Sequence, residues 1–376
     1  MTSEPRRLDL SPYMRRQPVT LALLIGLAVV FFLAVSALAR IHDAQRESLA
    51  ERWAARGVDS LNAQQYAPAI DDFRTALLYA RDNGAYQLSL AEALMGLNRL
   101  DEAHAYLVNL WEKEPDNGLV SLELARVAVS KNQTEQALRY YHNSIYGTWN
   151  GDQDVERRKV RLELISYLMR TDARPQAEAE LIDLAATVGD NAQEQEQLGE
   201  MFAKTGDDQR ALAAFRTSLK LQRHNPAALA GAGAAAYRLG QYGDAERYLE
   251  EATDLNSSDA QSAERLRMTE YVLHWDPFLP QLSQREQNRI AIAAFAAAGA
   301  RLKSCKTQDA QEQGFQQQWN KLKPQLTDRG LDRNPGPVIA AMNLAFAIEK
   351  KTDGTCGQQT ETDKALLLVA GLREEN

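Results

Sequence analysis

The sequence predicts an all-α protein. It reads as an α-solenoid of about six helix–turn–helix repeats plus a capping helix, behind an N-terminal transmembrane helix, with a small helical module at the C-terminal end. Three observations carry this. The composition is rich in Ala, Leu, Glu, Gln and Arg and poor in β-branched runs, which favours helix. One segment near the start runs 21 residues without a charge. Through the middle of the chain an alanine recurs at near-constant spacing, each time in the same company.

The uncharged segment is Val19 to Ala39, VTLALLIGLAVVFFLAVSALA, preceded by a tail at 1–18. A helix of that length crosses a bilayer core of roughly 30 Å. Ala37-Leu38-Ala39 has the form of a signal cleavage site, but signal apolar regions run about 7–15 residues, so the length predicts a retained anchor. Four arginines precede the segment (Arg6, Arg7, Arg15, Arg16) and four follow within twenty residues (Arg40, Arg46, Arg52, Arg56). A Lys/Arg count is therefore tied. The close pair Arg15-Arg16 points to a single pass through a bacterial inner membrane with a periplasmic body; a cytoplasmic body is the alternative. Residues 40–49 read as a linker.

Ala69, Ala103, Ala137, Ala177, Ala211 and Ala245 are spaced by 34, 34, 40, 34 and 34 residues. Twelve residues before each stands Gly57, Ala91, Ala125, Ile165, Gly199 or Gly233, small in all copies but the fourth. Four residues after each comes a large apolar one: Phe73, Leu107, Tyr141, Leu181, Phe215, Leu249. Five before each is a turn position: Gln64, Asn98, Asn132, Asp172, Gly206, Gly240. Small residues at a helix crossing let the backbones approach, and the large residue a turn later fills the groove beside them. Asn, Asp and Gly accept the left-handed conformation that ends a helix. The 40-residue step places six extra residues in the loop Tyr146 to Asp154, YGTWNGDQD, where Trp149 is either an exposed contact or a ring folded back on the repeats.

This pattern resembles the tetratricopeptide repeat, a 34-residue helix–turn–helix unit that stacks into a solenoid. Residues 50–257 carry it. Trp53, Gly57, Tyr66, Ala69, Phe73 and Ala76 fall in the family's places in the first copy, and the second keeps its terminal Pro115. The resemblance implies binding without catalysis, with one or more proteins or peptide segments held on a concave face lined by the first helix of each repeat. The residues it places there are Asn62, Glu92, Arg126, Lys159, Ser166, Arg170, Glu200, Lys204, Tyr237 and Arg238. Arg170, Lys204 and Arg238 make a basic series. They read either as a strip for an acidic partner or as cations offsetting helix C-terminal dipoles, worth about 0.3–1 kcal/mol each. The family's carboxylate clamp is not reproduced, since Ala54 and Val58 occupy its leading places.

Residues 258–282 read as a capping helix, Asp259 to Trp275, with Ala263, Leu266, Met268 and Val272 on one side, followed by the break DPFLP. Residues 283–376 lose the repeat. They read as helices over about 283–303, 309–322, 337–350 and 362–372, the first and third strongly apolar. If the first and third run parallel, the chain's two cysteines, Cys305 and Cys356, meet at their C-terminal ends and form a disulfide in an oxidising compartment. Two unrelated thiols in a cytoplasmic domain are the alternative. The five histidines are scattered, and GAGAAA at 231–236 lacks the preceding strand that a dinucleotide fingerprint needs. A net charge of -8 argues against a nucleic-acid partner. No catalytic, cofactor or metal site is expected. A membrane-anchored scaffold for export, envelope or complex assembly is the reading, with a ligand-sensing receptor or an enzyme carried by residues 283–376 as alternatives.

Overall fold

The computed structural model describes residues 11–305, 310–327, 331, 336–356 and 358–374. Among them helices predominate and no strand occurs, apart from one isolated parallel bridge between Asn117 and Thr148. The chain divides into two compact units between Leu164 and Ile165, a boundary that falls within one helix.

The first unit opens with α1 (Ser11–Asn62), 52 residues long and unbroken. Residues 40–49, expected as a linker, are helical, since RIHDAQRESL contains neither Gly nor Pro to end the turn. From Leu21 to Ala39 all but Ser36 are exposed, Leu23 at 69% and Phe31 and Phe32 at 70%, and by length and composition α1 is apolar enough to cross a membrane. Its C-terminal part turns protein-facing at Ala50 and Ala54, both buried, and pairs with α2 (Tyr66–Tyr79). The hairpins α3 (Gly84–Gly96) with α4 (Leu100–Lys113), and α5 (Gly118–Ser130) with α6 (Thr134–Tyr146), stack in order behind it. The first turns of α7 (Gln153–Arg170) complete the unit.

The second unit continues from α7 through α8 (Arg174–Ala185), α9 (Ala192–Thr205), α10 (Asp208–Leu221), α11 (Pro226–Arg238) and α12 (Tyr242–Leu255). The cap α13 (Ala260–Trp275) covers α12. Its buried face differs from the one the apolar spacing suggests. Ala263 is exposed, and Ser262, Thr269 and Val272 point inward. The two hydroxyls tolerate burial because they are satisfied locally, Ser262 Oγ donating to Asp259 Oδ2 at 2.6 Å and Thr269 Oγ1 to the Arg265 carbonyl at 2.7 Å.

The register predicted for the repeats is met in all six copies. The anchor alanines are each 0% exposed. A Cβ built on Gly57 would lie 2.8 Å from the Phe73 ring, one on Gly199 2.8 Å from Phe215, and one on Gly233 2.6 Å from Leu249. The small residue is therefore required by the large side chain of its own hairpin. Gln64, Asn98, Asn132, Asp172, Gly206 and Gly240 all have positive φ. Behind each, the next amide returns to the carbonyl five residues back, as from Arg99 to Leu94 and from Gln133 to Ala128. That is the Schellman closure of a helix end.

The last four helices, α14 (Gln284–Ser304), α15 (Ala310–Leu322), α16 (Gly336–Thr352) and α17 (Glu361–Glu374), form the C-terminal module. Ala291, Ala294, Ala298 and Leu302 of α14 and Ala341, Met342, Ala345 and Ile348 of α16 make its core. Tyr242 and Val272 belong to the same cluster, so the module shares a core with the last hairpin and the cap. Cys305 and Cys356 form a disulfide with Cα atoms 5.2 Å apart, at the C-terminal ends of α14 and α16 as expected.

Candidate partner-binding surfaces

In the first unit, Asn62 is exposed at the end of α1 and Lys159 is exposed on α7, paired with Glu156 at 2.8 Å. Glu92 and Arg126 come together in a network that the sequence reading did not anticipate. Arg126 donates from Nη1 to Glu123 Oε1 at 2.6 Å, and from Nε and Nη2 to Glu163 at 3.0 and 2.7 Å. Tyr141 adds a hydrogen bond to Glu163 Oε1 at 3.0 Å. Hydrogen bonding to Glu163 holds the Arg126 guanidinium above its ordinary range, so it stays charged. Burial pushes Glu123 up to about 7, against the pull of Arg126 and with the help of Glu92 and Glu163. Burial also raises Glu92, partly offset by Arg126. Three carboxylates thus surround one guanidinium on α3, α5 and α7. A sequence signal for the pair was available: Glu123 and Glu163 are separated by the same 40 residues as the anchors Ala137 and Ala177.

In the second unit, Ser166, Arg170, Glu200 and Lys204 are exposed. Tyr237 is half-buried, meets Tyr242 edge-on at 5.4 Å and packs against the core cluster that Tyr242 shares with the C-terminal module, and burial raises its hydroxyl pKa. Arg238 donates from Nε to Asp208 Oδ1 at 2.8 Å. Arg170 and Lys204 therefore remain as the outward cations of the predicted basic series. The structure adds a purpose for Arg238 that neither sequence reading considered, a tie between α11 and the first turn of α10.

Two clefts stand out, one in each unit. A cleft of about 860 Å³ in the first unit lies between the first turns of α3, α5 and α7 and the loop bearing Trp149. Trp149 folds back on the repeats, its Nε1 donating to the Ser144 carbonyl at 2.9 Å. In the second unit a cleft of about 890 Å³ is lined by Trp275, the disulfide, Arg301 and Asp363. Arg301, 8% exposed, donates to the carbonyls of Thr352 and Gln358 and pairs with Asp363 at 3.1 Å. Burial and the Asp363 charge push Glu349 up to about 7 against the pull of Arg301.

With anchors, turns and crossing residues all in register, the repeat type is settled by the chain's own geometry. These hairpins have the tetratricopeptide repeat fold. No family model and no curated protein matches the chain. Among solved structures it is similar to YrrB, a TPR protein with an unusual peptide-binding site, at 18% identity over 52% of this chain and 97% of that one, TM-score 0.38. It is also similar to the C-terminal part of a TPR repeat-containing protein from Cytophaga hutchinsonii, at 13% identity over 80% and 96%, TM-score 0.43. PilF of Pseudomonas aeruginosa matches at 18% identity over 63% and 98%, TM-score 0.31. At these values the likenesses stand beside the repeat assignment and carry none of it.

Proposed function

We propose that this chain is a single-pass scaffold of the bacterial inner membrane that holds other polypeptides on the first helices of its repeats, without catalysis of its own. The observation that carries this is the division of labour within each hairpin. The anchor alanines are locked at 0% exposure, while Glu92, Arg126, Arg170, Glu200 and Lys204 stand outside that frame in varied polar chemistry. Such a surface changes its specificity without disturbing its packing. The exposed apolar half of α1 supports the anchor, and the Cys305–Cys356 disulfide supports an exported body.

The cleft beside Arg301 favours a second reading, a receptor whose C-terminal module takes a small ligand. Purification of the full-length chain from native membranes separates the two. The scaffold reading expects a stoichiometric polypeptide partner whose recovery falls when Arg170 and Lys204 are both changed to Glu, most steeply at low salt. A chain that purifies with no polypeptide but with a bound small molecule would overturn it in favour of the receptor.

A further inference from the structure

We infer that the cleft beside Trp149 is a docking site for a polypeptide segment that carries a basic residue next to an apolar one. The inference deepens the scaffold reading and rests on it. The six residues that lengthen the third repeat build one wall. Thr148 donates its amide to the Asp116 carbonyl at 2.7 Å and accepts from the Gly118 amide at 2.9 Å, stitching the loop to the start of α5. The indole of Trp149 then lies against Gly118, where a Cβ would sit 2.3 Å from Nε1, so only glycine admits it. That contact and the bond to Ser144 hold the ring on the cleft wall.

Leu88, Leu110 and Leu119 line the same cleft, Leu119 39% exposed and Leu110 buried beneath. An aromatic wall, the exposed Leu119 and the half-buried Leu88 form an anchor site for an apolar side chain. The rim supplies the charge preference. Asp82, Glu114 and Glu156 line it together with Lys113, and Lys159 offsets one of the three by pairing with Glu156. Asn117 Nδ2 steadies Glu114 at 2.9 Å and Lys159 steadies Glu156 at 2.8 Å. The Glu92, Glu123 and Glu163 network around Arg126 lies on the same three helices and carries a smaller excess of negative charge, since burial favours the protonated form of Glu123. Two separate groups of side chains therefore set one sign. A guanidinium or ammonium gains from both the carboxylates and the indole face, whereas an acidic segment meets more carboxylates than lysines.

The test uses the full-length chain in detergent and a fluorescent peptide of alternating leucine and arginine, with a leucine–glutamate peptide as its counterpart. Binding of the leucine–arginine peptide should weaken at least tenfold in Glu114→Lys/Glu156→Lys and in Trp149→Ala, and the leucine–glutamate peptide should not compete. Thermal unfolding checks that the variants fold; should Trp149→Ala fail, Trp149→Phe keeps the ring and should retain most of the affinity. Equal binding by wild type and the charge-reversed variant would mean bulk acidity alone and would overturn the site. So would competition by the acidic peptide, or no binding at all. A partner that still co-purifies from membranes while the peptide test fails removes this cleft and leaves the scaffold reading standing.

Discussion

Glu349 is 1% exposed, its carboxylate oxygens accept no hydrogen bond among the described residues, and Arg301 Nε lies 3.8 Å away. Its pKa is pushed from the ordinary 4.5 to about 7, chiefly by burial and then by Asp363. The folded chain thus keeps a proton that the unfolded chain releases. The stabilisation is full below pH 4.5 and lost as pH rises through 7, about 3 kcal/mol over that window. Glu349→Gln should flatten this slope and leave the variant more stable than wild type at pH 8. Thermal midpoints of the solubilised chain at pH 5 and pH 8 measure it; a wild type equally stable at both values contradicts the assignment. A second residue-scale prediction concerns the crossings. Ala211, 0% exposed, has no room for a larger side chain, so Ala211→Leu should destabilise by about 1–3 kcal/mol. Ala213→Leu on the exposed side of the same helix should change stability by less than about 0.5 kcal/mol. Equal effects in denaturant titrations would remove the steric argument for the repeat.

Between elements, the legible part of the fold was the part set by short-range sterics. Ala137 and Tyr141, or Gly206 ahead of Ala211, declare a crossing and a turn through their own size and backbone freedom, and the structure places them so. The 34-residue recurrence of Asn83 with Asn117, and of Asn191 with Asn225 and Asp259, was equally available. Each caps the following helix, as Asn117 Oδ1 does by accepting from the Leu119 and Val120 amides at 3.1 Å. What the sequence could not show depends on which helix lies on top. Tyr237 is a groove position by the repeat pattern, yet it packs against the core that the last hairpin shares with the module. Arg126 reads as a free cation until Glu123 and Glu163 close on it. The disulfide was legible because parallel apolar helices bring two C-terminal ends together. It closes a loop whose ends are 51 residues apart, worth about 4 kcal/mol in the loop-entropy model. Cys305→Ser/Cys356→Ser should therefore make α16 and α17 the first segments cut in limited proteolysis, with α2–α6 unaffected. Unchanged proteolysis would mean that the shared core with Val272, not the bridge, holds the module.

At the scale of the whole molecule, the apolar part of α1, the first repeat and the disulfide bear together on the proposed topology. Helix α1 runs without a break from the apolar stretch into the first hairpin. From Ala39 to the first buried residue, Ala50, the rise is about 16 Å at 1.5 Å per residue. A reporter fused after residue 60 therefore reports the side of the membrane on which the repeats sit. An enzyme that acts only outside the cytoplasm should be active there, because Cys305 and Cys356 remain bridged only in an oxidising compartment. The two readouts are coupled. An exported reporter together with fully alkylatable cysteines in protein taken from native membranes would separate them and leave the bridge without a compartment. A reporter active only in the cytoplasm would turn the body inward and outweigh the Arg15-Arg16 pair. Terminal sequencing completes the test. Protein retaining the residues before Val19 keeps the membrane helix as an anchor, whereas a mature chain starting at Arg40 would make Ala37-Leu38-Ala39 a cleavage site and release the repeats into solution.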